Sequence, residues 1–141
     1  MNRDEVLAII DMAYAARIAG DIDTLRALAA EDGTFELAGE STLLRNFPFA
    51  GRVPALSAVK RLTDLITIYE VRRLDALVEG NRAAVLSHAR MSFAGRDPFD
   101  TVLYDLVELD EDGRILSMVQ FCDTARYVAE MEALQAHHNG R

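Results

Sequence analysis

The sequence predicts an α+β fold in which a curled, meandering antiparallel sheet packs around helices. Two observations carry this. The first half shows apolar residues at three- and four-residue spacing, interrupted by one short alternating stretch. The second half shows four long alternating stretches in succession, separated by turn-forming residues. Helices segregated from a run of neighbouring strands define the α+β class. A sheet that curls around helices leaves a cavity between them.

Residues 4–18 read as a helix through Val6, Leu7, Ile10, Tyr14 and Ile18. Gly20 suits its C-cap, and Asp21 suits the N-cap of a second helix, 22–30, buried through Leu25 and Leu28. "EDG" at 31–33 reads as a turn and "TFELAG", 34–39, as a short strand. Residues 40–53 read as an irregular loop that folds Phe47 and Phe49 inward. Pro54 opens a third helix, 54–66, with Leu56, Val59, Leu62 and Ile66 on one stripe. Strands follow at 68–78, 82–93, 101–110 and 114–122, then a helix at 124–136 begun by Asp123 or Thr124. The tail "HHNGR", 137–141, is expected to fray. No repeat or linker divides the chain, so residues 1–141 are read as one domain.

Composition narrows the function. The chain has 141 residues, half of them apolar, and a net charge of −8. With no Lys/Arg run, neither nucleic acid nor an anionic membrane surface is an expected partner. Cys122 is the only cysteine, so no intrachain disulfide forms and a cytoplasmic location is expected. No signal-peptide core and no apolar run long enough to span a bilayer is present. The richness in Ala, Arg and Asp points to a bacterium with a GC-rich genome. His137 and His138 are adjacent, which puts them on different helix faces, and no other ligands cluster with them; no metal and no cofactor are expected. "AEDG" and "DEDG" lack the spacing of a calcium loop.

The most informative stretch is "YDLVELDEDGRILSMVQF", 104–121. Asp105 falls on a strand face otherwise made of Leu103, Val107 and Leu109. Asp112-Gly113 reads as the two-residue loop of a type I′ hairpin. In that register Leu109 faces Leu116, Val107 faces Met118, Asp105 faces Gln120 and Leu103 faces Cys122. The result is an apolar wall with one acid and one amide side by side. A three-residue loop would shift the register by one and part Asp105 from Gln120.

Three stretches carry a family resemblance: "AARIAGDIDTLRALAAEDGTFE" (15–36), the hairpin just quoted, and "QFCDTARYVAEM" (120–131). Together they resemble the SnoaL-like and ketosteroid-isomerase-like proteins of the nuclear-transport-factor-2-like superfamily. The resemblance implies a cone-shaped sheet wrapped around N-terminal helices, an apolar pocket inside, and a homodimer formed through the outer sheet face. In ketosteroid isomerases the acid matching Asp105 stays protonated in the pocket and donates to a developing enolate oxygen, because an apolar site penalises the charged form. Their general base matches Leu37, which cannot take a proton. Their pocket tyrosine matches Ala13, one residue from Tyr14, an offset of about 100° on a helix. In SnoaL-type cyclases and limonene-epoxide-hydrolase-like enzymes an acid matches Gln120. The latter also use an arginine and an acid on the next strand, where "SHARMSF" (87–93) offers Arg90 and Ser92. His88 and Arg90 are expected to face outward.

Two functions follow. The first is a small-molecule enzyme, an isomerase, cyclase or lyase that moves a proton on a hydrophobic, oxygen-bearing compound. Asp105 and Gln120 are its catalytic candidates, and Tyr14, Leu37, Val107, Met118 and Cys122 its ligand-binding candidates. The second is a non-catalytic ligand-binding or interaction domain of the same fold, favoured by Leu37 and Gln120. In that case Asp105 bonds Gln120 or caps a bulge in an inert pocket. Cys122 reads as a small buried hydrophobe rather than a nucleophile.

Overall fold

The computed structural model describes residues 1–40, 42 and 44–138. In chain order these form α1 (Arg3–Ala19), α2 (Ile22–Leu28), β1 (Ala29–Leu37), β2 (Arg52–Pro54), α3 (Ala55–Leu65), β3 (Ile66–Glu79), β4 (Arg82–Phe93), β5 (Phe99–Leu109), β6 (Ile115–Phe121) and α4 (Thr124–His138). The sheet order is β2-β1-β6-β5-β4-β3. It is antiparallel apart from one parallel pair, β1 with β6. The α+β class holds, with helices on the inner face.

Local chemistry sets the helix ends. Asn2 and Glu5 form a capping box at the start of α1, and Gly20, at φ 71°, closes it. Asp21 accepts from the Thr24 amide to start α2, and Asp123 accepts from the Arg126 amide to start α4. α4 continues through His138, so the first two residues of the expected frayed tail are helical; Asn139, Gly140 and Arg141 lie outside the described residues.

Residues 31–33 are not a turn. They lie inside β1, where the pairing with β6 shifts register between Ala29 and Thr34. A Cβ on Gly33 would sit 2.9 Å from the backbone oxygens of both Ala30 and Ile115. Glycine is there for close backbone approach at a bulge, which looks like a turn signal in sequence alone.

The β5–β6 hairpin differs from its expected turn yet keeps the expected pairing. Asp110 N–H donates to Arg114 C=O and Gly113 N–H to Asp110 C=O. Gly113 sits at φ 77° and, among the described residues, no non-glycine residue has positive φ, so Asp112 cannot occupy a type I′ position. This is a three-residue loop, a type I turn followed by a left-handed glycine. Alone it would shift the register by one. A second irregularity between Glu108 and Leu109 restores it: Leu109 pairs with Ile115, yet Val107 pairs with Met118 and Asp105 with Gln120. Leu116 is the extra residue, and Ile115 takes the place expected for it opposite Leu109. The bulge lets Ile115 and Met118, three positions apart, face the same interior.

Two packed clusters fill the inside. One centres on Phe35, Phe47, Phe49, Phe93 and Tyr127, and the other seats Val6 and Ile10 of α1 on Val85 and Val107. Phe47 and Phe49 do fold inward, edge-to-face at 5.3 Å.

Candidate functional site

A cavity of about 110 Å³ lies between the inner sheet face and the helices. Every helix and every strand except β2 contributes to its wall. Most of the wall is aliphatic, including Leu56 and Leu62 of α3, Leu103 of β5 and Met118 of β6. Its polar side chains are Tyr14, Arg17, Thr34, Gln120 and Tyr127. Among the described residues it holds no carboxylate.

Behind that wall Tyr14, Asp105 and Gln120 form a closed triangle. Tyr14 Oη donates to Asp105 Oδ2. Gln120 Nε2 lies 3.0 Å from both Asp105 Oδ1 and Tyr14 Oη and donates to each. The β5–β6 register places Asp105 beside Gln120. α1 supplies Tyr14: its buried stripe, Val6, Ile10 and Ala13, seats the helix on the sheet, and small Ala13 leaves the neighbouring ring room to reach inward. Asp105 is fully buried and does not itself line the cavity, whereas both its partners do.

Burial sets the titration. It raises the Asp105 carboxyl to about 6, against the opposing pull of hydrogen bonds from Tyr14 and Gln120. Burial, then the neighbouring Asp105, pushes the Tyr14 hydroxyl well above its ordinary range, so it is a neutral donor. The carboxyl therefore changes charge near neutrality while the phenol touching it does not.

A model of the SnoaL-like domain family matches residues 10–118, most of the chain. The chain belongs to this family. No curated protein shows detectable sequence similarity to it. Among solved structures it is similar to an NTF2-like protein from Burkholderia xenovorans LB400, at 20% identity over 93% of this chain and 98% of that one, with a TM-score of 0.73. It is similar to an LEH-like epoxide hydrolase from Mycobacterium tuberculosis, at 16% identity over 98% of each chain, with a TM-score of 0.69. It is also similar to IdmH from Streptomyces antibioticus, provisionally described as a polyketide cyclase, at 20% identity over 90% of this chain and 98% of that one, with a TM-score of 0.66. At such identities these likenesses speak for the fold.

In this SnoaL-like domain the expected site residues divide. Tyr14, Met118 and Gln120 line the cavity, and Asp105 stands directly behind Tyr14 and Gln120. Leu37, Val107 and Cys122 do not line it. Leu37 lies in the cluster with Phe47 and Phe49, and Val107 lies beneath α1. Cys122 follows the end of β6 and packs against the aromatic cluster; burial pushes its thiol up to about 12, which disfavours the thiolate. His88 and Arg90 both face Asp100 on the outer side of the sheet, and Ser92 bonds Tyr69. Among the described residues no three His, Cys, Asp or Glu side chains gather as a metal site. Nor is any helix among them long and apolar enough to cross a membrane.

Sequence reasoning missed Arg17 and Tyr127. Arg17 sits one turn after Tyr14, and this i, i+3 spacing was the available signal. Tyr127 lies on the buried stripe of α4 with Met131.

Proposed function

We propose that this SnoaL-like domain is a small-molecule enzyme. It polarises or protonates an oxygen of a hydrophobic compound in an isomerase, cyclase or lyase step. The observation that carries the reading is the Tyr14–Asp105 hydrogen bond at the wall of an apolar cavity. A substrate oxygen in the cavity takes the Tyr14 proton as its hydrogen bond. Protonated Asp105 then donates to the Tyr14 oxygen from behind, so charge developing on the substrate is stabilised by an aligned pair in an apolar site. Tyr14 touches substrate in this scheme and Asp105 acts through it. Gln120 holds both, and its Oε1, unused in the triangle, orients the ligand. The carbon-bound proton passes to a basic oxygen of the substrate itself or to solvent, since the described lining has no carboxylate.

That missing carboxylate favours a second reading, a ligand-binding domain that performs no chemistry. A panel of hydrophobic ketones, epoxides and steroids, tested for thermal shift and turnover, separates the two. Turnover abolished by Tyr14→Phe supports the enzyme. Ligand stabilisation with no turnover of any compound supports the binder.

We further propose that the domain works in the cytoplasm as a homodimer. The lone thiol at Cys122 suits a reducing compartment. Val102, Tyr104, Leu106 and Phe121 stay exposed on the outer face of β5 and β6, a contiguous apolar patch suited to a second copy. Sedimentation of wild type and Tyr104→Lys tests this: a dimer that becomes a monomer supports it, and a monomeric wild type overturns it.

A further inference from the structure

The strongest unexplained feature is a charge in an apolar place. Arg17 lies on the last turn of α1, half-buried, with its side chain on the cavity wall. Its only hydrogen bond among the described residues runs from Nη2 to the Ile66 carbonyl, at 2.7 Å. None of the ion pairs among them includes it. A guanidinium carries five donors and stays protonated in proteins. Leaving it unpaired against aliphatic side chains costs stability. The chain carries 23 acidic residues, so carboxylates to pair with it are not scarce. The negative end of the α1 dipole offsets part of the cost and uses none of the spare donors.

A second donor nearby is equally underused. Tyr127 is buried, and among the described residues its hydroxyl finds only the Met91 sulfur, at 3.4 Å, a weak acceptor. Tyr14 and Tyr127 both lie close enough to Arg17 to affect its titration, which burial lowers. Arg17, Tyr14 and Tyr127 therefore lie near one another on the cavity wall, and apart from Thr34 and Gln120 the remainder is apolar. A neutral ketone or ether supplies lone pairs to that set but no charge. An oxyanion supplies the missing charge and several lone pairs at once.

We infer that the cavity takes a hydrophobic monoanion: an apolar ring or chain bearing one carboxylate, or an enol or phenol acidic enough to ionise at neutral pH, with Arg17 as its counter-ion. The inference rests on reading this cavity as the ligand site. It narrows that reading from any oxygen-bearing compound to an anionic one, and makes Arg17 the residue that sets this preference.

The test uses two probes of nearly equal shape, 2-naphthoate and 2-acetonaphthone, titrated calorimetrically at pH 7.5 into wild type, Arg17→Met and Arg17→Lys. Wild type should prefer the acid by about tenfold or more. Arg17→Met should lose that preference by weakening the acid far more than the ketone, and its continued binding of the ketone shows the cavity intact. Arg17→Lys should recover part of it, because an ammonium keeps the charge and loses the planar fork. If wild type binds the ketone as tightly as the acid, or Arg17→Met weakens both alike, the inference is overturned. A wild type that binds the ketone and rejects the acid overturns the anion while leaving the cavity reading standing. If neither probe binds, the inference is again overturned, and the ketone, epoxide and steroid panel then judges the cavity reading separately.

Discussion

Tyr14 and Asp105, 91 positions apart in sequence, meet in a hydrogen bond that joins the first helix to the fifth strand. This bond ties folding to the state of the site. Whatever protonates Asp105 alters both the stability of the helix–sheet contact and the donor presented to the cavity.

The first expectation concerns stability against pH. The carboxyl of Asp105 is raised from 3.8 to about 6 in the folded protein. Between those values the folded state holds more protons than the unfolded state, so this group's contribution falls as pH rises and levels off above about 6. A shift of this size corresponds to about 3 kcal/mol. Asp105→Asn removes the dependence. Urea unfolding of both proteins from pH 4.5 to 7.5 should show the variant gaining on wild type as pH rises. A gain in the opposite direction would sink this account of Asp105.

Tyr14→Phe keeps the ring and removes the donor. It should cost about 1–3 kcal/mol at pH 7.5, because Asp105 Oδ2 loses a partner in a fully buried site. The same change removes an interaction that lowers the Asp105 titration, so carboxyl carbon chemical shifts should report a midpoint above 6. For a compound that wild type turns over, the loss should be about 100-fold or more in kcat. Wild-type turnover should itself decline as pH rises through about 6, where ionised Asp105 takes up the Tyr14 proton as acceptor. Turnover that rises through that range excludes Asp105 as the supporting acid.

The hairpin is tested by two neighbouring residues. Gly113→Ala forces a side chain into the left-handed region and should cost about 1–2 kcal/mol. Asp112→Ala should stay within about 0.5 kcal/mol, since Asp112 keeps negative φ. A type I′ turn would penalise both. Chemical denaturation of the two variants distinguishes the turns without any ligand.

Glu130 is buried at 3% exposure on α4 and accepts from Arg96 at 3.0 and 3.3 Å, with Arg126 at 3.4 Å. This fastens the closing helix to the β4–β5 turn. Both arginines are roughly two-fifths exposed and return to water when the carboxylate is removed. Glu130→Ala should therefore cost about 1–2 kcal/mol, less than breaking a fully buried pair. Thermal melts at low and high salt check it; a neutral result would mean that Arg126 stacking over Phe99, at 4.0 Å, holds α4 without it.

Much of the fold was legible because it is written in local periodicity. Apart from β1 and the short β2, each element begins and ends within two residues of its expected limits. Gly20, Asp21 and Asp123 stop or start helices through bonds to residues a few positions away. Asp-Gly at 112–113 and Asp-Gly at 32–33 misled for the same reason: both turns and bulges need a residue free of Cβ, and sequence alone does not say which is present. The Asp105–Gln120 pairing survived a wrong turn because burying one strand face penalises any register that exposes it, and the bulge at Leu116 absorbed the difference.

The sequence by itself determined the class of fold, the strand face that carries Asp105, and the amide opposite it. Those follow from alternation and burial within one hairpin. Only the tertiary structure decided that Asp105 stands behind the cavity wall rather than on it, that Leu37, Val107 and Cys122 pack in the clusters beside the cavity, and that Arg17 reaches the interior with no ion pair among the described residues. The places of Asp105, Val107 and Arg17 depend on how α1 seats on the sheet, and those of Leu37 and Cys122 on the aromatic cluster; both are set by side chains meeting from distant parts of the chain, which no local spacing records.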